Sequence, residues 1–245
     1  MSLTLKLVLS PLLIAQAMAT CRRAPVLAEA AGPRTGHLKG RGLATRVLIA
    51  GDSSAAGVGV AQQAQSVAGH LTRSLQQRSG RPVHWALHAR SGLTTRQVHH
   101  MLQAEPPAAA DVAVVITGVN DVIEQLPSRR AVQHREALAD WLLGEGLAAH
   151  VLFAPLPPMH EFPLLPQPLR RVMGDDARRH NEALARWAST RSDVSFLPIT
   201  LTLKGDVMAS DGFHPGAPVY RYCASAIAQH ITHQVRRGLR LGGQA

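Results

Sequence analysis

Residues 46–57 read RVLIAGDSSAAG: aliphatic side chains from Val47 to Ala50, then Gly51-Asp52-Ser53, then small residues ending at Gly57. An apolar run bounded by Gly and Asp reads as a strand buried on both faces, and the small residues after it as the opening of a helix. Four more such runs follow at 83–89 (VHWALHA), 111–118 (DVAVVITG), 149–155 (AHVLFAP) and 193–199 (DVSFLPI). Helix-like stretches at about 60–78, 94–104, 129–143, 175–190 and 217–238 are each long enough for the crossover between parallel strands. Strands that are apolar throughout and alternate with helices belong to a parallel sheet covered on both faces. The expected architecture is α/β: one three-layer α/β/α domain over residues 44–245, built on a five-stranded parallel sheet, with no internal repeats.

The chain has 245 residues, 46% of them hydrophobic but only 4% aromatic, so it can bury a large core made of Ala, Leu and Val. Its two cysteines, Cys21 and Cys223, exclude a disulfide scaffold and a multi-cysteine zinc module. The net charge of +10 is unevenly spread: residues 1–46 hold seven basic side chains against Glu29, whereas residues 47–203 hold 14 basic and 13 acidic ones. The body of the protein is therefore nearly neutral. It lacks the basic stripe interleaved with stacking aromatics that nucleic acid requires, so no nucleic-acid partner is expected.

Residues 1–43 form an apolar and basic segment with a linker. Leu7 to Ala19 (LVLSPLLIAQAMA) has the length of a signal-peptide apolar region and is too short for an ordinary spanning helix. Ala17-Met18-Ala19 fits a cleavage site, but Arg22-Arg23 directly after it suits a translocating chain poorly, and the residues before Cys21 match a lipoprotein box poorly. The rival reading is an uncleaved interfacial anchor that holds the arginines beside anionic lipid. Export and anchoring stand equal, a plain packing helix stays open, and the location is either the cell envelope or the cytoplasm. Arg34 to Arg46 (RTGHLKGRGLATR) reads as a linker into the domain.

In parallel α/β sheets ligands bind beyond the carboxyl ends of the strands. There the chain places Ser53, Ser91-Gly92 and Gly118-Val119-Asn120-Asp121, and the loop before the last helix carries Asp211-Gly212-Phe213-His214. This rim holds a hydroxyl that can attack a carbonyl (Ser53), a base to take its proton (His214) and a carboxylate to orient that base (Asp211). It also holds three oxyanion donors: the backbone N–H groups of Ser53 and Gly92 and the side-chain amide of Asn120. Glycine at 92 lets the backbone approach a substrate closely. Asp52 reads as a brace for its loop and Asp121 as a turn or N-cap residue. Gly57 and Gly59 have no partner glycine at 62 and no Gly-Lys-Ser/Thr follows, so no nucleotide site is expected. The pairs His84/His88 and His230/His233 lack an evident third ligand, so no metal is expected.

The set Gly51-Asp52-Ser53 with Gly57, then Gly92, Gly118-x-Asn120-Asp121 and Asp211-x-x-His214-Pro215 resembles the four blocks of the SGNH, or GDSL, esterase/lipase family, across residues 46–220. The resemblance implies a flavodoxin-like SGNH hydrolase fold that cleaves esters without metal or cofactor. It also implies Ser53 as nucleophile, Gly92 and Asn120 as oxyanion donors, and Asp211 and His214 as the remaining triad members. The chain departs from the commoner family pattern in Ser54-Ala55 after the nucleophile and Arg90-Ser91 before Gly92.

The Pro-rich stretch 155–173 (PLPPMHEFPLLPQPLRRVM) has the composition of an acyl pocket or lid, with Leu156, Met159, Phe162, Leu164 and Leu165 to receive an acyl group, or of a cover for the sheet edge. The expected activity is hydrolysis of a small or lipid-like ester, such as a lysophospholipid, through an acyl-enzyme. Thioesterase, carbohydrate O-deacetylase and acyltransferase activities on the same groups, or a noncatalytic membrane-surface protein, are the alternatives. Because an imidazole base must be neutral and histidine ordinarily titrates near ~6.5, activity is expected to fall below about pH 6.

Overall fold

The computed structural model describes residues 3–203 and 205–236. Its elements in chain order are α1 (Leu3–Arg23), β1 (Thr35–Leu38), β2 (Thr45–Gly51), α2 (Ser53–Ala56), α3 (Val67–Ser79), β3 (Val83–Ala89), α4 (Thr95–Ala104), β4 (Val112–Ile116), α5 (Val119–Ile123), α6 (Ser128–Gly144), β5 (Val151–Phe153), α7 (Leu169–Ala188), β6 (Val194–Phe196) and α8 (Ala217–Arg236). Residues 237 and 238, expected at the end of the last helix, lie outside the described residues, as does the rest of the C-terminal end.

The strands form one six-stranded sheet in the order β1-β3-β2-β4-β5-β6. Five of them, β2 to β6, run parallel, and β1 pairs antiparallel with β3, Thr35 opposite Ala86 and Leu38 opposite Val83. The α/β/α expectation thus needs a correction in strand count, from five to six. The added strand lies inside the stretch read as a linker. Thr35-Gly36-His37-Leu38 carries one aliphatic residue, and its burial alternates between exposed and intermediate. A short edge strand needs no apolar face, because its pairing rests on backbone hydrogen bonds to β3.

The side chains of β2 alternate between two cores. Val47 and Ile49 pack with Leu71 and Leu75 of α3 and with Ala224, Ile227 and Ile231 of α8. Leu48 and Ala50 pack on the other face with Val98 and Leu102 of α4, Leu138 and Leu142 of α6, and Leu184 of α7. Both faces of the sheet's centre are therefore dry, which is why β2, β4 and β5 are apolar without alternation. Helix starts follow local chemistry: Ser66 Oγ accepts from Ala68 N–H at the head of α3, and Thr94 with Gln97 forms a capping box at the head of α4. A cap of this kind contributes about 1 kcal/mol.

After β2 the chain goes outward to β3, then crosses back to lay β4 on the other side of β2. The order reverses between β2 and β4, and a crevice opens at the carboxyl ends of strands where order reverses. Gly51 lies opposite Ile116 in register, and Asp52 N–H donates to Ile116 O at 3.1 Å. The segments after these two neighbouring strands, 51–53 and 118–121, consequently sit side by side.

Candidate active site

Ser53 is the first residue of α2, directly beyond β2. Asp52 caps this turn, its Oδ1 accepting from Ser54 N–H at 3.0 Å, and Gly57 closes it in the left-handed region. With four residues α2 carries only a fraction of a helix macrodipole, so it offers oriented N–H groups rather than a long-range field.

His214 comes from the loop before α8, and its Nε2 stands 3.0 Å from Ser53 Oγ. Its Nδ1 is 2.6 Å from Asp211 Oδ2. The other carboxylate oxygen, Oδ1, accepts from the backbone N–H groups of Phe213 and His214, both at 2.9 Å. Burial pushes the Asp211 carboxyl up, but the His214 ring and these two backbone donors outweigh it and hold it below the ordinary carboxylate range. An ionised carboxylate against Nδ1 requires the proton there, which leaves Nε2 as acceptor for the Ser53 O–H. Phe213 packs edge-on against the His214 ring at 5.2 Å between centroids, and against Phe162 at 5.0 Å. The ring is thus held by a carboxylate on one side and an aromatic edge on another.

Gly92 has φ +81°, and a Cβ built there would meet nothing within 4 Å. Within the protein the requirement for glycine at 92 is conformational, and the open space beside it leaves the backbone accessible. The Gly92 loop and the start of α5 are tied together, since Asn120 Nδ2 donates to Leu93 O at 2.9 Å. Asp121 makes a second tie: its Oδ1 accepts from Thr95 N–H at 2.9 Å and its Oδ2 from the Thr95 hydroxyl. Asp121 therefore anchors the first turn of α4 instead of capping α5, whose N-cap is Gly118.

Two supports of this rim carried no recognisable sequence signal. Arg135, from the middle of α6, is 1% exposed, and its Nη2 lies 3.4 Å from Asp121 Oδ2 and 3.4 Å from Thr117 O. A Cβ on Gly118 would fall 2.0 Å from that Nη2, and Gly118 also has φ +121°, so only glycine fits. Arg135 also faces Asp52. Burial pushes the Asp52 carboxyl up to about 7, Asp121 adds to the rise, and the Ser54 N–H and Arg135 oppose it. The second support is Glu29, whose Oε1 accepts from Ser91 N–H at 2.7 Å and which pairs with Arg34. Arg34 in turn donates to Ala89 O at 2.6 Å. A stretch with no periodicity ahead of the first buried strand so braces the loop that carries Gly92.

Beside Ser53 and His214 opens an apolar cavity of about 80 Å³. Of the five residues expected to line a pocket, Leu156 and Phe162 do so. Met159 and Leu165 are buried in the cluster behind it, and Leu164, outside the wall, donates its backbone N–H to Gly212 O at 3.1 Å. More of the wall comes from Ile199, Leu201, Leu203 and Met208 and from Val219, Cys223 and Ile227 of α8. The signal available in the sequence was Ile199-x-Leu201-x-Leu203, in which every second side chain of an extended segment points one way. Burial pushes the Cys223 thiol up to about 12, which leaves it a thiol at neutral pH. Among the described residues no three His, Cys, Asp or Glu side chains are grouped to hold a metal ion.

An α/β/α sheet whose switch point presents a hydrogen-bonded Asp–His–Ser chain beside an apolar cavity defines the class of acyl hydrolases. Residues 49–222 match the GDSL-like Lipase/Acylhydrolase family, and the chain belongs to that family. No curated protein matches it. Solved structures that share the fold include the lipase Lip_vut3 from a goat rumen metagenome (17% identity, 81% of this chain and 98% of that one, TM-score 0.62). TesA is similar at 20% identity (77% and 99% covered, TM-score 0.60). The Clostridium thermocellum family 3 carbohydrate esterase is similar at 16% identity (80% and 98% covered, TM-score 0.61).

Proposed function

We propose that the protein is a serine esterase that hydrolyses carboxylic esters of medium-length aliphatic acids through an acyl-enzyme. The observation that carries the reading is the hydrogen-bonded chain from Asp211 through His214 to Ser53, opening onto an apolar cavity. Ser53 Oγ attacks the ester carbonyl carbon while His214 Nε2 takes its proton. The oxyanion that forms is held by the N–H groups of Ser53 and Gly92 and by the free hydrogen of Asn120 Nδ2. As the intermediate collapses, the C–O bond to the alcohol breaks and His214 returns the proton to the departing oxygen. A water then adds to the acyl-serine, its proton again passing to His214, and the acid leaves with Ser53 restored. Asp211 stays ionised throughout and holds the ring in the tautomer this cycle needs.

The cavity sets the acyl part. A water-sized group needs about 10–15 Å³, so about 80 Å³ holds roughly five to eight methylene-sized groups. Burying a methylene contributes about 0.8 kcal/mol, close to a fourfold gain in kcat/KM per carbon until the cavity is full. A series of p-nitrophenyl esters from acetate to laurate tests this: kcat/KM is expected to climb to about six to eight carbons and then level off or fall. Labelling by a fluorophosphonate probe, lost on Ser53→Ala, tests the nucleophile. Highest activity on acetate with no dependence on chain length would overturn the acyl assignment and favour a deacetylase. Labelling that survives Ser53→Ala would overturn the mechanism.

A further inference from the structure

The helix α1 has its polarity turned inside out. Its face toward the protein carries the polar anchors: Lys6 pairs with Asp176 of α7, and Gln16 donates to Gln167 O at 2.6 Å and accepts from Leu169 N–H at 3.1 Å. Leu13 and Ala17 add apolar contacts there, packing on the cluster that contains Leu156 and Phe162. The outward face is apolar. Leu7 is 64% exposed, Val8 73%, Leu12 46%, Ile14 59% and Met18 52%, and Pro11 and Ala15 between them are exposed too. These positions, spaced three and four apart, form one stripe, and Arg22 continues it one turn beyond Met18. Among the described residues, five of the nine large hydrophobic side chains left exposed lie on this single helix.

A helix on a water-facing surface normally buries its apolar stripe and solvates its polar one. Here the polar stripe is already taken by α7, so α1 can lose its exposed apolar area only to something outside the fold. No helix among the described residues is long and apolar enough to cross a membrane, and the Lys6 and Gln16 anchors hold the opposite face against protein. We infer that the outward face of α1 is a docking surface for an anionic lipid bilayer, on which the helix lies flat while its other face stays fixed to α7. Charge selects this occupant. Arg22 and Arg23 are exposed at the end of the stripe, and α1 carries no acidic side chain. The same face of a second copy would offer those cations no counter-charge, whereas an anionic headgroup layer does. Leu, Ile and Met in the acyl boundary with arginines at headgroup level is the arrangement by which an interfacial helix binds. The inference rests on α1 alone and is independent of the reaction proposed above.

The test uses the full chain carrying Ser53→Ala, so that lipid is not consumed, sedimented with phosphatidylcholine vesicles with or without roughly one-third phosphatidylglycerol. Binding is expected on the anionic vesicles, weaker on the neutral ones and reduced by salt. Replacing both arginines (Arg22→Gln with Arg23→Gln) is expected to lower partitioning onto anionic vesicles about 30-fold at low salt and to have little effect on neutral ones. Leu7→Gln, Leu12→Gln, Ile14→Gln and Met18→Gln together are expected to lower it at least about tenfold with an unchanged thermal midpoint, because these side chains touch no core. Four results would overturn the inference: no sedimentation with either vesicle, equal binding by parent and glutamine variant, a dimer in solution that the glutamines dissolve, or a mature chain recovered from cells without residues 1–19.

Discussion

Asn120→Ala separates transition-state stabilisation from scaffolding. Of the two hydrogens on Asn120 Nδ2, one is engaged by Leu93 O at 2.9 Å, so a single hydrogen is left for an oxyanion. Losing one such donor costs about 2.7–4 kcal/mol in the transition state, or about 100- to 1,000-fold in kcat. The ground-state ester carries no full charge at that oxygen, so KM is expected to change little. The substitution also leaves Leu93 O without its partner, which costs about 1 kcal/mol of stability and about 2–4 °C in melting temperature. The assay is steady-state hydrolysis of a hexanoate ester with a thermal melt on the same preparation. Asn120→Asp serves as companion, because a carboxylate keeps the size while offering no donor to Leu93 O and repelling the oxyanion. It should be at least as slow as the alanine variant. A kcat within about fivefold of the parent in a protein whose melt is intact would refute the role, since it would mean that backbone N–H groups alone hold the oxyanion.

Asp211→Asn is expected to lower kcat by about 10⁴-fold, because an amide donating to Nδ1 moves the ring proton to Nε2, the atom that must accept from Ser53; a loss below tenfold in ester hydrolysis would refute the triad. Arg135→Met leaves the fully buried Asp121 carboxylate without its cation and is expected to cost about 3–5 kcal/mol of stability. A charge pair 3.4 Å apart at an effective dielectric near 20 gives about 5 kcal/mol, and a urea midpoint shift worth less than 1 kcal/mol would refute it. The Asp52 carboxyl titrates at about 7 in the fold against an ordinary 3.8, so its neutral form is favoured by folding. Its contribution is complete below about pH 4 and is lost as pH rises through about 7, with a ceiling of about 4 kcal/mol. Asp52→Asn should therefore lose less stability than the parent between pH 5 and pH 8, and parallel curves of urea midpoint against pH would refute the assignment.

Three motif segments were legible because their chemistry is local. Gly51-Asp52-Ser53 ends an apolar run, Gly118-Val119-Asn120 follows another, and Asp211 closes its turn on the N–H groups of Phe213 and His214, two and three residues on. Parallel strands with both faces buried betray themselves as uninterrupted apolar runs, so the layer order could be read as well. Strand β1 could not, because an edge strand can be held by backbone pairing without a buried face and Thr35-Gly36-His37-Leu38 has no apolar period to show. Nor could the brace from Glu29 and Arg34 to the Gly92 loop, which joins two side chains of a stretch without periodicity to backbone groups 62 and 55 residues further on.

The chain's own pattern of apolar runs, small-residue turns and the Ser, Asn, Asp and His placements determined the sheet architecture and the chemistry available at its rim. These are properties of neighbouring residues, whose preferences act over a few bonds. Which side chains enclose the cavity, and that Arg135 sits beneath Gly118 while α1 turns its apolar side outward, were decided only when distant segments packed. Those arrangements depend on volume and charge balance between elements, and for such contacts any aliphatic residue or any arginine reads alike until its neighbour is known.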